Sequence, residues 1–276
     1  MSALFEGLFD DAALIPPGEA PMAAAVPAHR ELRSRLGGLV GPLVVPAARL
    51  AALTGHLADG APLGISVIAG AADLPAAVDR VAADPRLTLA AVEVPVVADA
   101  AAARQLTGVL AGVLPAGVPA AVELPRTRAR DDVLDVLAAA GLRAKLRTGG
   151  LRAELFPDPA ELAGALSACV HRAVAVKCTA GLHSAVRHTD PATGFPHHGF
   201  LNVLVAVDAL TAGTPALAAL QEEDGAELAA MVRSWAPERV ARVRSAFTSF
   251  GTCSVLEPVE DLVALGLLPS PDRIPA

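Results

Sequence analysis

Lysine is almost absent from this chain. Of its 22 Lys and Arg residues only Lys145, in "RAKLRTGG", and Lys177, in "VAVKCTAG", are lysines. Arginine serves an ion pair as well or better. A nucleophilic amine or a tunable proton carrier must instead be lysine, because a guanidinium keeps its proton in a protein. The two positions are therefore candidates for chemistry, with Lys177 as an imine-forming amine and Lys145 as the nearby cation that lowers an amine pKa or handles protons. Glu93 and Glu123, each two residues before a proline in "VEVP" and "VELP", would be the acid/base carboxylates. The competing reading is an ion-pair cluster that closes a strand-end mouth without chemistry.

The elements that must position these residues show in the hydrophobic pattern. Eight short apolar runs end in polar, Pro or Gly punctuation: "LFDDAALIPP", "GPLVVP", "LGISVIAG", "LAAVEVP", "PAAVELP", "RAKLRTGG", "VAVKCTAG" and "AFTSFGTCS". Between most of them lie stretches of helical period, such as "DLPAAVDRVAAD", "DAAAARQLTGVLAG", "ARDDVLDVLAAAG" and "DPAELAGALSACVHRA". Each opens near Asp or Pro and several close near Gly. Alternating strands and helices of this length imply parallel pairing. The expectation is an α/β chain in which residues 1–276 form one (β/α)8 barrel of the TIM type, with an open doubly wound parallel sheet as the alternative. "ARLAALTGHLADG" is the weakest unit, readable as helix or loop.

A barrel gathers its chemistry at the C-terminal ends of the strands. Those ends carry Asp10 or Asp11, Glu93, Glu123, Lys145 with Arg147, and Lys177. Charged residues late in apolar strands are costly unless they pair or work. Lys145 and Arg147 share one strand face by alternation, as do Lys177 and Thr179.

At these residues the chain resembles a known family. "KCTAG" is similar to the Lys-Thr-Ser-Thr-Gly signature of deoxyribose-phosphate aldolases at Lys177, Thr179 and Gly181, and "KLRTGG" resembles their second lysine strand with its paired glycines. The resemblance is confined to these two stretches, and their order is the reverse of the family's. It implies a (β/α)8 barrel whose strand lysine forms a Schiff base with an aldehyde.

The most distinctive segment follows directly, "GLHSAVRHTDPATGFPHHGF". Four of the seven histidines lie here, His183, His188, His197 and His198, with Arg187 and Asp190 between them. A loop of this length is usually functional or mobile, so residues 178–200 are expected to form a lid. Arg147, His183 and Arg187 would hold a substrate carboxylate or phosphate. Backbone and hydroxyl groups at Gly149, Gly150, Thr179, Gly181, Gly251 and Thr252 would assist, since anions in such barrels rest on the loops after the last strands. No cofactor is expected on this reading. In the alternative, Glu93, Glu123, His183 and His188 bind a divalent metal and the lysines stabilise an enolate. Ser254 reads either as a further anion contact in the last loop or as an N-cap for "VLEPVEDLVALG".

Composition excludes other classes. The net charge of −7 and scattered arginines lack the basic stripe of a nucleic-acid binder. The N-terminus has no basic segment followed by an apolar run, and no apolar stretch is long enough to span a bilayer. A mean hydropathy of +0.49 then reads as a dense core, and the expected location is cytoplasmic. Cys169, Cys178 and Cys253 cannot all pair with one another and are expected to be reduced thiols, Cys178 and Cys253 as packing residues. The partners that remain are a small molecule and further copies of the chain. The expectation is an aldolase-type lyase acting on a small carbonyl compound that bears a carboxylate or phosphate. Its alternatives are a metal-dependent lyase or hydrolase and a non-catalytic barrel that binds a metabolite or a partner.

Overall fold

All eight apolar runs become strands of one closed parallel barrel. The computed structural model describes residues 2–58 and 60–269, so Met1, Asp59 and the last seven residues of the expected 1–276 domain lie outside the described residues. The strands are β1 Phe9–Asp11, β2 Val40–Pro46, β3 Leu63–Ile68, β4 Leu87–Val94, β5 Ala120–Glu123, β6 Arg143–Arg147, β7 Val176–Thr179 and β8 Phe247–Thr252. Each pairs with its sequence neighbours, and β8 pairs with β1 to close the ring. Closure excludes the open doubly wound sheet. Their near-continuous Val, Leu and Ala runs suit parallel strands covered by helices on one side and filled by side chains on the other.

Local signals explain the outer helices. Asp99 accepts a hydrogen bond from the Ala102 amide at the start of Ala100–Val113, and Asp158 does the same for Glu161 ahead of Pro159–His171, satisfying amides that a helix start leaves unpaired. Gly141 ends Arg130–Ala140 at φ 65°, where a side chain would be strained. The weakest unit is a 3-10 turn, Ala47–Arg49, running into the short helix Leu50–Thr54. Ser254 is not an N-cap, because the last helix, Leu256–Ala264, begins behind Val255 and Ser254 instead donates its amide to Thr252 Oγ1.

One crossover is much larger than the rest. Between β7 and β8 the chain forms a buried helix, Phe200–Thr211, covered by Leu217–Gln221, Gly225–Arg233 and Pro237–Ala246. Phe200 meets Phe9 and Phe250 on the outside of the barrel, with ring centroids 5.8 and 5.2 Å away. Asn202, fully buried, ties the insertion together: its Oδ1 accepts the Arg187 amide and its Nδ2 donates to the Ala219 and Glu222 carbonyls. Among the described residues, no helix is long and apolar enough to cross a membrane.

Candidate active site at the barrel mouth

Alternation along the strands turns a set of charged residues into the barrel. Lys145 lies between Glu123 and Lys177 in strand register, and Lys177 lies beside Ser249. Together with Asp10 and Glu93 they form a continuous chain of contacts. Lys177 Nζ donates to Asp10 Oδ2 and to Glu93 Oε1. Ser249 Oγ donates to Asp10 at 2.7 Å and Ser66 Oγ to Glu93 at 3.0 Å. Lys145 Nζ stands 3.5 Å from Glu93 and 3.3 Å from Glu123, and Arg147 Nε donates to Glu123 at 2.9 Å.

The two lysines face different spaces. Lys145, Arg147, Glu93 and Glu123 line a cavity of about 600 Å³ at the C-terminal mouth, together with Thr179 and His183. Lys177 lies beneath, on a separate cavity of about 150 Å³ that it shares with Asp10, Glu93, Arg143 and Ser249. Glu93 borders both. Gly41 on β2 leaves room for the lower cluster, since a Cβ there would stand 2.1 Å from Asp10 Oδ1.

Charges set the protonation states. Burial alone would raise Glu93, but Lys177 and Lys145 outweigh it and hold the carboxylate at about 2. Burial would likewise depress Lys177, yet Asp10 and Glu93 raise it well above the ordinary lysine value and keep it charged. Asp10 moves the other way, with burial outweighing Lys177 and Ser249 and raising it.

The glycines have a packing role. Gly149 and Gly181 bring the loops after β6 and β7 into backbone contact, and a Cβ on either would meet the other's Cα at 2.8 Å. Gly181 also sits at φ 75°. Gly150 and Gly251 border the mouth cavity, while Gly149 is not among its lining residues. Thr252 is buried with its hydroxyl donated to the Ser254 carbonyl, off the cavity wall.

The histidine loop is spent largely on anchoring. His198 is fully buried and donates Nε2 to the Pro157 carbonyl at 2.8 Å. His188 and Thr189 pair antiparallel with His197 and Pro196 around a turn that Asp190 caps. Asp261 accepts the Ala185 amide. Arg187 points to Glu223, 3.9 Å away, and neither it nor His188 lines the mouth cavity. The alternative metal set is not assembled: Glu93 and Glu123 take lysine and arginine partners, and His183 turns to Glu257 at 2.8 Å. Among the described residues no three His, Cys, Asp or Glu side chains are grouped to hold an ion.

Several participants lay outside the sequence-based site. Asp10 and Asp11 were indistinguishable as strand ends; the structure turns Asp10 inward and gives Asp11 to buried His29 at 2.9 Å. Ser66 and Ser249 are polar residues at alternate positions in apolar strands, a signal that could have found them. Cys253, expected to be a packing residue, instead lines the mouth beside His183, whereas Cys178 is buried as expected and Cys169 is buried too. The Cys253 contact raises His183 above its usual value, with burial opposing and Glu257 adding to the rise. No protein-family model matches this chain, and no curated protein matches it.

Proposed function

We propose that this barrel is an aldolase-type lyase that forms an imine between a strand-end lysine and a small carbonyl compound bearing a carboxylate or phosphate, and that the amine is Lys145. The observation that carries the reading is the division of the two lysines. Lys145 faces the cavity a substrate can enter, between two carboxylates and next to Arg147. Lys177, the first candidate from sequence, is enclosed below by Asp10 and Glu93 and held charged. This assignment departs from the motif resemblance, which puts the Schiff base on the strand of Lys177.

The roles follow from position. Arg147 holds the substrate anion by paired N–H donors. Glu123, 3.3 Å from Lys145 Nζ, takes the proton that the ammonium must lose before it attacks. Addition forms the C–N bond as the carbonyl π pair moves onto oxygen, a proton passes from nitrogen to that oxygen to give a carbinolamine, and Glu123 returns its proton to the hydroxyl, so that the C–O bond breaks, water departs and an iminium remains. The iminium draws electrons from the adjacent carbon, and the carboxylates move the proton there. Lys177 keeps Glu93 ionised and in place. His183 and Thr179 border the same space.

Borohydride reduction in the presence of a panel of carboxylated and phosphorylated aldehydes and ketones tests the assignment. The expected product is a stable adduct on Lys145, absent in Lys145→Arg and retained in Lys177→Arg. An adduct on Lys177 would return the amine role to that residue. No adduct with any member of the panel would overturn the imine.

A further inference from the structure

Cys253 and His183 reach the same cavity from the loops after β8 and β7. Both line the mouth cavity, and Cys253 Sγ lies beside the His183 ring, 3.8 Å from Nε2 and 4.0 Å from Nδ1. The other ring nitrogen, Nδ1, donates to Glu257 Oε2 at 2.8 Å. That bond fixes the tautomer that leaves Nε2 free to accept the thiol proton. Nucleophile, base and orienting carboxylate are thus arranged in the order that activates a thiol. The arrangement is built: Cys253 packs against Gly18, where a Cβ would come within 2.9 Å of the cysteine Cβ. The positions come from separate elements, His183 from the loop after β7, Cys253 from the end of β8, and Glu257 from the helix Leu256–Ala264.

The geometry points to Cys253 as a second nucleophile of the mouth cavity, with His183 as its base and Glu257 as the residue that orients the imidazole, directed at small aldehydes. The step balances without a redox partner. Sγ attacks the carbonyl carbon and an S–C bond forms. The π pair moves onto oxygen, which receives the proton that His183 took from the thiol, giving a hemithioacetal. The inference goes beyond the lysine chemistry and does not need it, since Lys145→Arg removes the imine and changes none of Cys253, His183 and Glu257.

Alkylation by iodoacetamide at about pH 7, with each cysteine followed by peptide mass spectrometry, reads the site directly. Cys169 and Cys178 are fully buried and serve as internal controls. Cys253 is expected to react first, and His183→Gln to slow it on the order of tenfold. Glu257→Gln, at a largely exposed position, should slow it by a smaller factor. Glyoxylate, as the aldehyde probe, should protect Cys253 in the wild type and still protect it in Lys145→Arg. Equal alkylation rates in wild type and both variants would overturn the base assignment. Absence of glyoxylate protection would overturn the aldehyde. Protection lost only in Lys145→Arg would assign the effect to the imine and reject the thiol site.

Discussion

Two stretches of this molecule look chemical in the sequence, and the fold treats them in opposite ways. The strand-end residues Asp10, Glu93, Glu123, Lys145, Arg147 and Lys177 come from positions far apart in the chain and meet in one chain of contacts. The histidine loop concentrates His183, His188, His197 and His198 within sixteen residues, yet only His183 and His197 reach the mouth cavity. The difference is geometric. Barrel closure forces every inward position of every strand toward one axis, so convergence comes from register. A loop has no such axis, and its polar groups go first to satisfying its own backbone. Density of reactive residue types is therefore a weaker guide to a site than their phase on a strand.

The sharpest way to break this contrast is to remove the central cation of the cluster. Lys177→Met leaves Asp10 and Glu93 facing each other in a buried space with one partner lost, and deleting one member of a buried ion pair costs roughly 3–5 kcal/mol. Urea unfolding is expected to show a loss of this size. A loss under about 1 kcal/mol would mean that the cluster is not a structural unit. Lys177→Arg keeps the charge, and the cavity of about 150 Å³ beside it has room for the larger head group, so that variant should stay within about 1.5 kcal/mol of wild type.

The acid limb of stability sharpens the same point. Glu93 is depressed in the folded state to about 2 from an ordinary value of 4.5. A depressed carboxylate contributes stability that is fully present above its unfolded value, and this is lost as pH falls from about 4.5 to about 2. The shift corresponds to roughly 3 kcal/mol. Asp10 acts in the opposite sense, because its raised value lets the folded state take up a proton more readily. Asp10→Asn should therefore steepen the loss of stability on acidification, measured by urea midpoints at stepped pH. A shallower limb in that variant would reverse the assignment of the two carboxylates.

These contrasts also mark what the sequence could tell. All eight strands were legible because each is a short apolar run with punctuation, and parallel pairing followed from the helices between them. Register was partly legible: Glu123, Lys145 and Lys177 are partners on neighbouring strands, while Glu93 stands level with Ala121, two residues deeper. Depth within the mouth was not. Lys145 and Lys177 are register partners, and their difference arises from Asp10 and Ser249, which approach from the strands on the far side. No local pattern reports that. Nothing near His183 in sequence announces Cys253 or Glu257, both some seventy residues on, so sequence alone offers it only as an anion or metal ligand. The glycines of "RTGG" and "TAG" were read as anion contacts, although the mutual approach of Gly149 and Gly181 already demands residues without a Cβ.

Within the loop, His198→Ala tests whether anchoring is its main work. The variant removes a buried ring and leaves the Pro157 carbonyl without its donor, which costs about 1–3 kcal/mol. Thermal unfolding should shift by that amount while labelling of Cys253 is unchanged. Loss of the labelling with no change in stability would make His198 part of the site.

The smallest effect is the most discriminating between the two regions. Arg147 and Arg187 were equal candidates for the substrate anion, each a lone guanidinium beside glycine or histidine. Arg147 sits on β6 at the mouth with Glu123 at 2.9 Å, so an incoming anion competes for a guanidinium that is already positioned. Arg187 sits off the cavity, with its nearest carboxylate 3.9 Å away on largely exposed Glu223. A pair of that kind contributes between nothing and about 1 kcal/mol. Arg147→Gln should weaken glyoxylate binding about tenfold, since a hydrogen bond to a charged group is worth about 1.5–3 kcal/mol, while Arg187→Gln should change it by less than about twofold and leave stability within about 0.5 kcal/mol. Titration calorimetry on the two variants reads both numbers in one series. If Arg187→Gln proved the more damaging, the loop would have to swing over the mouth when a ligand binds, and the division between a working cluster and an anchored loop would fail.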